Sequence, residues 1–126
     1  MLTLAFLSHH SKHLISKLVK DITSYNLDVS IIIIENSLDY SLKKDLEKNF
    51  KDKVEVFIPE ENLGFAKGMN KAVELSKNRF VFLNPADVIL SRECLVDLIS
   101  CINNFDDFVL LAPTYNDETI FKNYEK

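Results

Sequence analysis

Glycine is almost missing from this chain of 126 residues: there are two, Gly64 and Gly68. A residue so scarce is predicted to stand where the backbone needs it. Cysteine is equally rare. Cys94 and Cys101 fall seven apart in a predicted helix, so they share a face about 10 Å from each other, too far for a disulfide. No CxxC pair is present, and two reduced thiols in a reducing compartment are expected. No apolar run approaches the roughly 18 residues of a membrane span. The opening MLTLAFLSHH lacks both a basic lead and a small-residue cleavage site, and it reads as a first strand rather than a signal peptide. Basic excess is missing too: 15 Lys and Arg stand against 19 Asp and Glu, a net charge of −4, which argues against nucleic acid as a partner.

What is present alternates. Leu2 to Leu7 is a short apolar run. From Ser11 the period lengthens, with Leu14, Ile15, Leu18, Val19, Ile22 and Tyr25 on one helical stripe, Ser11 as its N-cap and Asn26 as its stop. Val29 to Ile34 is a β-branched run of the kind covered on both faces. A weaker helix is predicted over 40–50, a strand over Val54 to Ile58, and a helix marked by Phe65, Met69, Ala72, Val73 and Ser76. Phe80 to Leu83 is a fourth strand, Ser91 caps a helix carrying Leu95, Leu98, Ile99 and Ile102, and Phe108 to Leu111 is a fifth strand. Strand and helix alternate from end to end. The pattern predicts a single α/β domain, a Rossmann-like three-layer α/β/α arrangement with a mainly parallel sheet and right-handed crossovers.

In such a sheet, ligands bind beyond the carboxyl ends of the strands. The residues there are Ser8, His9, His10 and Ser11 after the first strand, then Glu35, Asn36, Ser37 and Asp39 after the second. Glu60, Glu61, Asn62 and Gly64 follow the third, and Asn84 and Asp87 the fourth. Loops are polar in general; the concentration of short polar and acidic side chains on one edge is the informative part.

Three stretches carry chemistry. ENLGFAKGMNKA holds both glycines; it reads either as a loop glycine plus a close-packing helix glycine, or as a helix start approached by phosphates, with Lys67 beside it. The P-loop and GxGxxG spacings are both absent. In IIIIENSLDYS an acid tips a buried strand, where it can accept from a sugar hydroxyl or a base N–H; alternatively Asn36 and Ser37 make a turn and Asp39 begins a helix. VFLNPADVIL is either a turn or a cation site. His9 and His13 are four apart, a metal-pair spacing on a helix, but His9 precedes the predicted helix, so a loop beside a nucleotide or plain surface is the better reading.

Taken together these stretches resemble the GT-A inverting glycosyltransferases of family 2, especially the rhamnosyltransferase-like branch. The second strand there typically ends like V-D-N-x-S-x-D; here Ile34-Glu35-Asn36-Ser37-Leu38-Asp39 stands. A later N-x-G-F-x-x-G-x-N is matched by Asn62 through Asn70, and a strand-ending L-N-P-D by Leu83-Asn84-Pro85-Ala86-Asp87. The resemblance runs from residue 1 to about 113. It implies a GT-A fold and a UDP- or dTDP-linked sugar donor, transferred with inversion to a glycan or lipid-linked acceptor in polysaccharide or cell-envelope glycan synthesis. It places Glu35, Asn36 and Asp39 near base and ribose, Ser8 and His9 beside the base, and Asn62, Gly64, Lys67, Gly68 and Asn70 along the nucleotide and diphosphate. Asn84 and Asp87 take the position of the family's acidic motif, which holds Mg²⁺ or Mn²⁺.

Three departures stand out. Glu35 replaces the usual Asp, the loop after it is one residue shorter, and Ala86 is an extra residue between Pro85 and Asp87. Residues three apart in an extended chain face opposite ways, so Asn84 and Asp87 converge only if residues 84–87 form a tight turn, with Asn and Pro at its first two positions. Family members usually continue into an acceptor-binding half with the catalytic base. Residues 1–113 read as the donor-binding half and 114–126 as a polar tail or the start of that region, with no base assigned. The location expected is cytoplasmic, with the inner face of the membrane as a peripheral alternative, and association into oligomers is open. The competing reading is a non-catalytic α/β binding or assembly module that has kept the fold.

Overall fold

The computed structural model describes residues 1–104. The expected fifth strand and the tail lie outside the described residues. Within them the order is β1 (Leu2–Ser8), α1 (Lys12–Ser24), β2 (Val29–Glu35), α2 (Tyr40–Phe50), β3 (Val54–Phe57), α3 (Gly64–Leu75), β4 (Phe80–Pro85) and α4 (Arg92–Asn104). The four strands make one parallel sheet in the order β3-β2-β1-β4.

The order follows from crossover handedness. β1 to β2 to β3 steps one way, with α1 and α2 on one face. β3 to β4 steps back past β1, and a right-handed crossover then puts α3 on the opposite face. The packing agrees. Leu4, Phe6, Ile31, Ile33 and Val56 meet Ile15, Val19, Ile22, Leu42, Leu46 and Leu95 on one side. Ala5, Ile32 and Ile34 meet Ala72 on the other. This is the three-layer α/β/α architecture the alternation predicts. β1 and β2, paired on both edges, are buried almost throughout, which is why their sequences are continuously apolar.

Local signals explain the joints. Asn26 sits at φ 58° just past α1 and stops it, as a left-handed asparagine does. Ser91 Oγ accepts from the Cys94 N–H at 3.1 Å, capping α4. Ser11 occupies the N-cap position of α1 but makes no cap bond; its hydroxyl donates to the His9 carbonyl instead. Cys94 and Cys101 are free and half-buried.

Helix α3 departs from its predicted stripe. It buries Gly68, Met69 and Ala72, while Phe65 is 58% exposed and Val73 is also exposed. Phe65 has the right angular position, three residues before Gly68. It lies in the first turn, past the tips of the strands, where there is no sheet to cover it. β4 also runs two residues further than expected, through Pro85, which pairs with Leu7. β4 is an edge of the described sheet, where a proline is tolerated.

Candidate functional site

The tips of β1 and β2 are in register, with Ser8 opposite Glu35. In-register residues of adjacent strands project from the same face, so the hydroxyl and the carboxyl are neighbours. Glu35 is 1% exposed and Ser8 is fully buried. Glu35 Oε1 accepts from the Ser37 N–H at 2.7 Å and also from the Ser37 hydroxyl. Glu35 Oε2 and Ser8 Oγ are both buried without a hydrogen-bond partner among the described residues. A buried acceptor left unmade is destabilising by about 1–3 kcal/mol. Both belong to in-register residues at the carboxyl edge of the parallel sheet, the edge at which open sheets of this kind bind ligands.

The loop after β1 is tied to this group. The His10 N–H donates to Ser37 Oγ at 3.0 Å, linking residues far apart in sequence. His9 is exposed, its ring centroid 4.4 Å from that of His10. Both His10, at φ 53°, and Leu38, at φ 60°, hold the left-handed conformation that non-glycine residues avoid. Ser37 and His10 stand among the strand-end residues of the sequence reading, and Ser37 within its second motif, but neither was assigned a role at the site; the two-residue step from Glu35 to Ser37, a local side-chain turn, was the available signal.

Asn36 is a clamp. Its side chain is 3% exposed. Its Oδ1 accepts from the Leu63 N–H at 3.3 Å and its Nδ2 donates to the Gly64 carbonyl at 3.2 Å. Asn36 thus ties the tip of β2 to the start of α3. Asn62 supports the same start, its Oδ1 accepting from the Gly64 N–H at 2.8 Å. Gly64 adopts φ 70° with open space where a Cβ would be, so the backbone conformation is what calls for glycine there. Gly68 is different. A Cβ on it would lie 2.4 Å from Leu7 Cδ1 and 3.7 Å from Ile34 Cγ2. It lets α3 press onto β1 and β2, so of the two readings of this glycine the close-packing one describes its surroundings.

Asp39 caps α2. Its Oδ1 accepts from the Ser41 hydroxyl at 2.5 Å, the Ser41 N–H at 2.9 Å and the Leu42 N–H at 3.1 Å. The Ser41 hydroxyl, then the Leu42 N–H, hold its carboxyl below the ordinary carboxylate range. Lys67 and Asn70 are exposed and line a cleft of about 570 Å³ between α3 and the end of β3, together with Phe57, Glu60 and Lys71. Ser8, His9 and Glu35 are not among the residues lining that cleft. The structure therefore brings Ser8, Glu35, Ser37 and His10 into one group and joins Asn36, Asn62 and Gly64 into a second beside it. Lys67 and Asn70 stand apart from the first.

At the end of β4 the turn lies one residue later than expected. The Val88 N–H donates to the Pro85 carbonyl at 3.3 Å, so Ala86 and Asp87 are its central residues. Asn84 is buried beneath it and donates from Nδ2 to the carbonyls of Pro85 at 2.9 Å and Val88 at 3.2 Å. The buried amide needed partners and found them in the turn itself. Asp87 is exposed. Among the described residues no group of three or more His, Cys, Asp or Glu side chains could hold a metal ion together. A cation that takes most of its oxygens from water and a diphosphate needs one or two carboxylates, a role open to Asp87. No helix among the described residues is long and apolar enough to cross a membrane.

The fold has relatives among solved structures. One is the mannosyltransferase PcManGT from Pyrobaculum calidifontis, described in complex with GDP-Man and Mn²⁺: 17% identity over 78% of this chain and 31% of that one, TM-score 0.69. Another is S. aureus TarS 1-349, at 20% identity over 81% of this chain and 32% of that one, TM-score 0.69. This chain spans about a third of the length of each. No curated protein sequence matches it. The family model described as Glycosyl transferase family 2 matches residues 7–126. With the parallel sheet and its polar carboxyl edge, that match over nearly the whole sequence identifies the chain as a glycosyltransferase domain: it belongs to glycosyl transferase family 2.

Proposed function

We propose that this domain binds a UDP- or dTDP-linked sugar at the carboxyl edge of β1 and β2 and serves its inverting transfer to a glycan or lipid-linked acceptor hydroxyl. The observation that carries this reading is the buried Glu35 carboxyl with one bare oxygen beside the bare hydroxyl of Ser8. An N–H donor and a carbonyl on a nucleobase complete both groups. Asp39, its carboxyl held below the ordinary carboxylate range by its cap bonds, follows four residues on and is assigned to the ribose side. The Asn36 clamp fixes the start of α3 against β2, so the Gly64 backbone is presented at a constant distance from the base site. Lys67, in the second turn of α3, supplies positive charge toward the diphosphate.

Asp87 is the residue proposed to hold Mg²⁺ or Mn²⁺, which when bound offsets the negative charge on the leaving diphosphate. An inverting transfer also needs a carboxylate to take the acceptor's proton, and that base is assigned to no described residue. The L-N-P-x-D and N-x-G-F stretches favour the rhamnosyltransferase-like branch and a hexosyl donor. The polysaccharide or envelope-glycan pathway, and a cytoplasmic site of action at the inner membrane face, follow from the same resemblance. Calorimetric titration with UDP and dTDP, with and without Mn²⁺, tests the reading. Saturable binding of either nucleotide supports it; a folded protein that binds neither contradicts it and favours a non-catalytic module.

A further inference from the structure

We infer that Ser37 sets the base preference of this site, by closing one oxygen of Glu35 so that the other reads a single N–H. The inference rests on the nucleotide-sugar reading above and adds the residue that selects the base. Two donors from Ser37, its N–H at 2.7 Å and its hydroxyl, converge on Glu35 Oε1. The Ser37 hydroxyl accepts in turn from the His10 N–H, which fixes the position of Ser37 from the β1 side. Oε2 is left without a partner, next to the equally bare Ser8 hydroxyl. Native chains rarely bury two such atoms together. The strained φ angles of His10 and Leu38 bracket this arrangement, one at each end of the His10–Ser37 link. Strain of that kind persists where the surroundings impose it, commonly at binding sites. The exposed loop after Ser8, joined to β2 through this link, is the element that gives way to admit a base.

One bare acceptor beside one hydroxyl is a chemical specification. The imide edge of uracil or thymine meets it: a single N–H for Glu35 Oε2 and an adjacent carbonyl for the Ser8 hydroxyl. Guanine brings its ring N–H and an amino group, and cytosine and adenine bring amino groups with two N–H each. Each of these carries a surplus N–H that Oε1, already closed by Ser37, cannot take. A donor left unpaired in a closed site lowers affinity about tenfold or more.

Dissociation constants for UDP, dTDP, GDP and CDP, measured by calorimetry on the whole chain with Mn²⁺, test this. The expected result is UDP or dTDP tighter than GDP and CDP by about tenfold or more. Comparing UDP with dTDP separates the two sources of the imide. Ser37→Ala removes the hydroxyl donor and keeps the backbone N–H, which frees one of the two acceptor positions on Oε1; it is expected to narrow the gap to GDP at least about threefold, while Ser37→Thr, which keeps the hydroxyl, preserves it. A purely structural Ser37 would move all four affinities together. If Ser37→Ala does not fold, Glu35→Gln replaces it. There the Ser37 donors hold the amide oxygen and turn the amino group toward the base, so UDP weakens more than CDP. GDP binding as tightly as UDP, or an unchanged ratio in folded Ser37→Ala or Glu35→Gln, overturns the inference while leaving a nucleotide site in place. Failure of all four to bind removes the nucleotide-sugar reading and this inference with it.

Discussion

Replacing Asn36 by alanine removes the two bonds that fasten α3 to the tip of β2. The Leu63 N–H loses its acceptor at 3.3 Å and the Gly64 carbonyl its donor at 3.2 Å. Each neutral bond contributes about 0.5–1.5 kcal/mol net, so the pair bounds the loss at about 1–3 kcal/mol. Gly64 is exposed and Leu63 half-buried, so water reaches the freed groups and the cost falls in the lower half of that range, about 1–2 kcal/mol. That is a fraction of the roughly 5–15 kcal/mol total of a domain, so the variant folds. Urea unfolding at neutral pH measures it: the midpoint should drop by about 0.5–1 M with the slope unchanged. Asn36→Asp sharpens the test. It keeps an acceptor for Leu63 but turns an oxygen toward the Gly64 carbonyl, so the folded state raises the new carboxyl's pKa. Between the unfolded and folded values the native state then binds more protons, and stability recovers as pH falls. A stability change in Asn36→Ala below about 0.5 kcal/mol, or an Asn36→Asp that does not recover in acid, would refute the clamp.

Gly64→Ala meets no atom but must hold φ 70°, which should destabilise by about 1–2 kcal/mol in thermal or urea unfolding. Asp39→Ala removes the α2 cap and should cost about 1 kcal/mol at neutral pH. Because the Asp39 pKa is lowered on folding, its contribution is complete above the ordinary carboxylate value and fades as pH drops through the lowered one; Asp39→Ala should therefore flatten stability against pH below about 4. Asp87→Ala, at an exposed turn position, should leave unfolding within about 0.5 kcal/mol of the parent while abolishing any Mn²⁺ dependence of nucleotide affinity.

Much of the fold can be read from local pattern. The β-branched run of β2 is doubly covered because the strand is central, and Asn26 ends α1 for the reason asparagine ends helices. Phe65 was misplaced because its period is right while the sheet stops short of it, which is knowledge of where strands end in space. The turn near Ala86 shifted by one residue because Pro85 stays paired with Leu7 and the Asn84 amide turns inward for partners, both long-range facts. At the site, the acid at the tip of β2 and the glycines were legible as residue types in a motif. What they do was less so. Gly68 answers to Leu7, and Asn36 to Leu63 and Gly64. The link between His10 and Ser37 joins residues 27 apart, and no sequence period announces it.

The central claim is that the tips of β1 and β2 hold the base of a nucleotide. Backbone amide chemical shifts followed by NMR through a UDP titration locate the ligand directly. The account predicts saturable shifts concentrated at Ser8–His10, Glu35–Ser37 and Gly64, with the strand interiors unmoved. Shifts confined to the cleft of Phe57, Glu60 and Lys71, or no saturable shift at all, would contradict it.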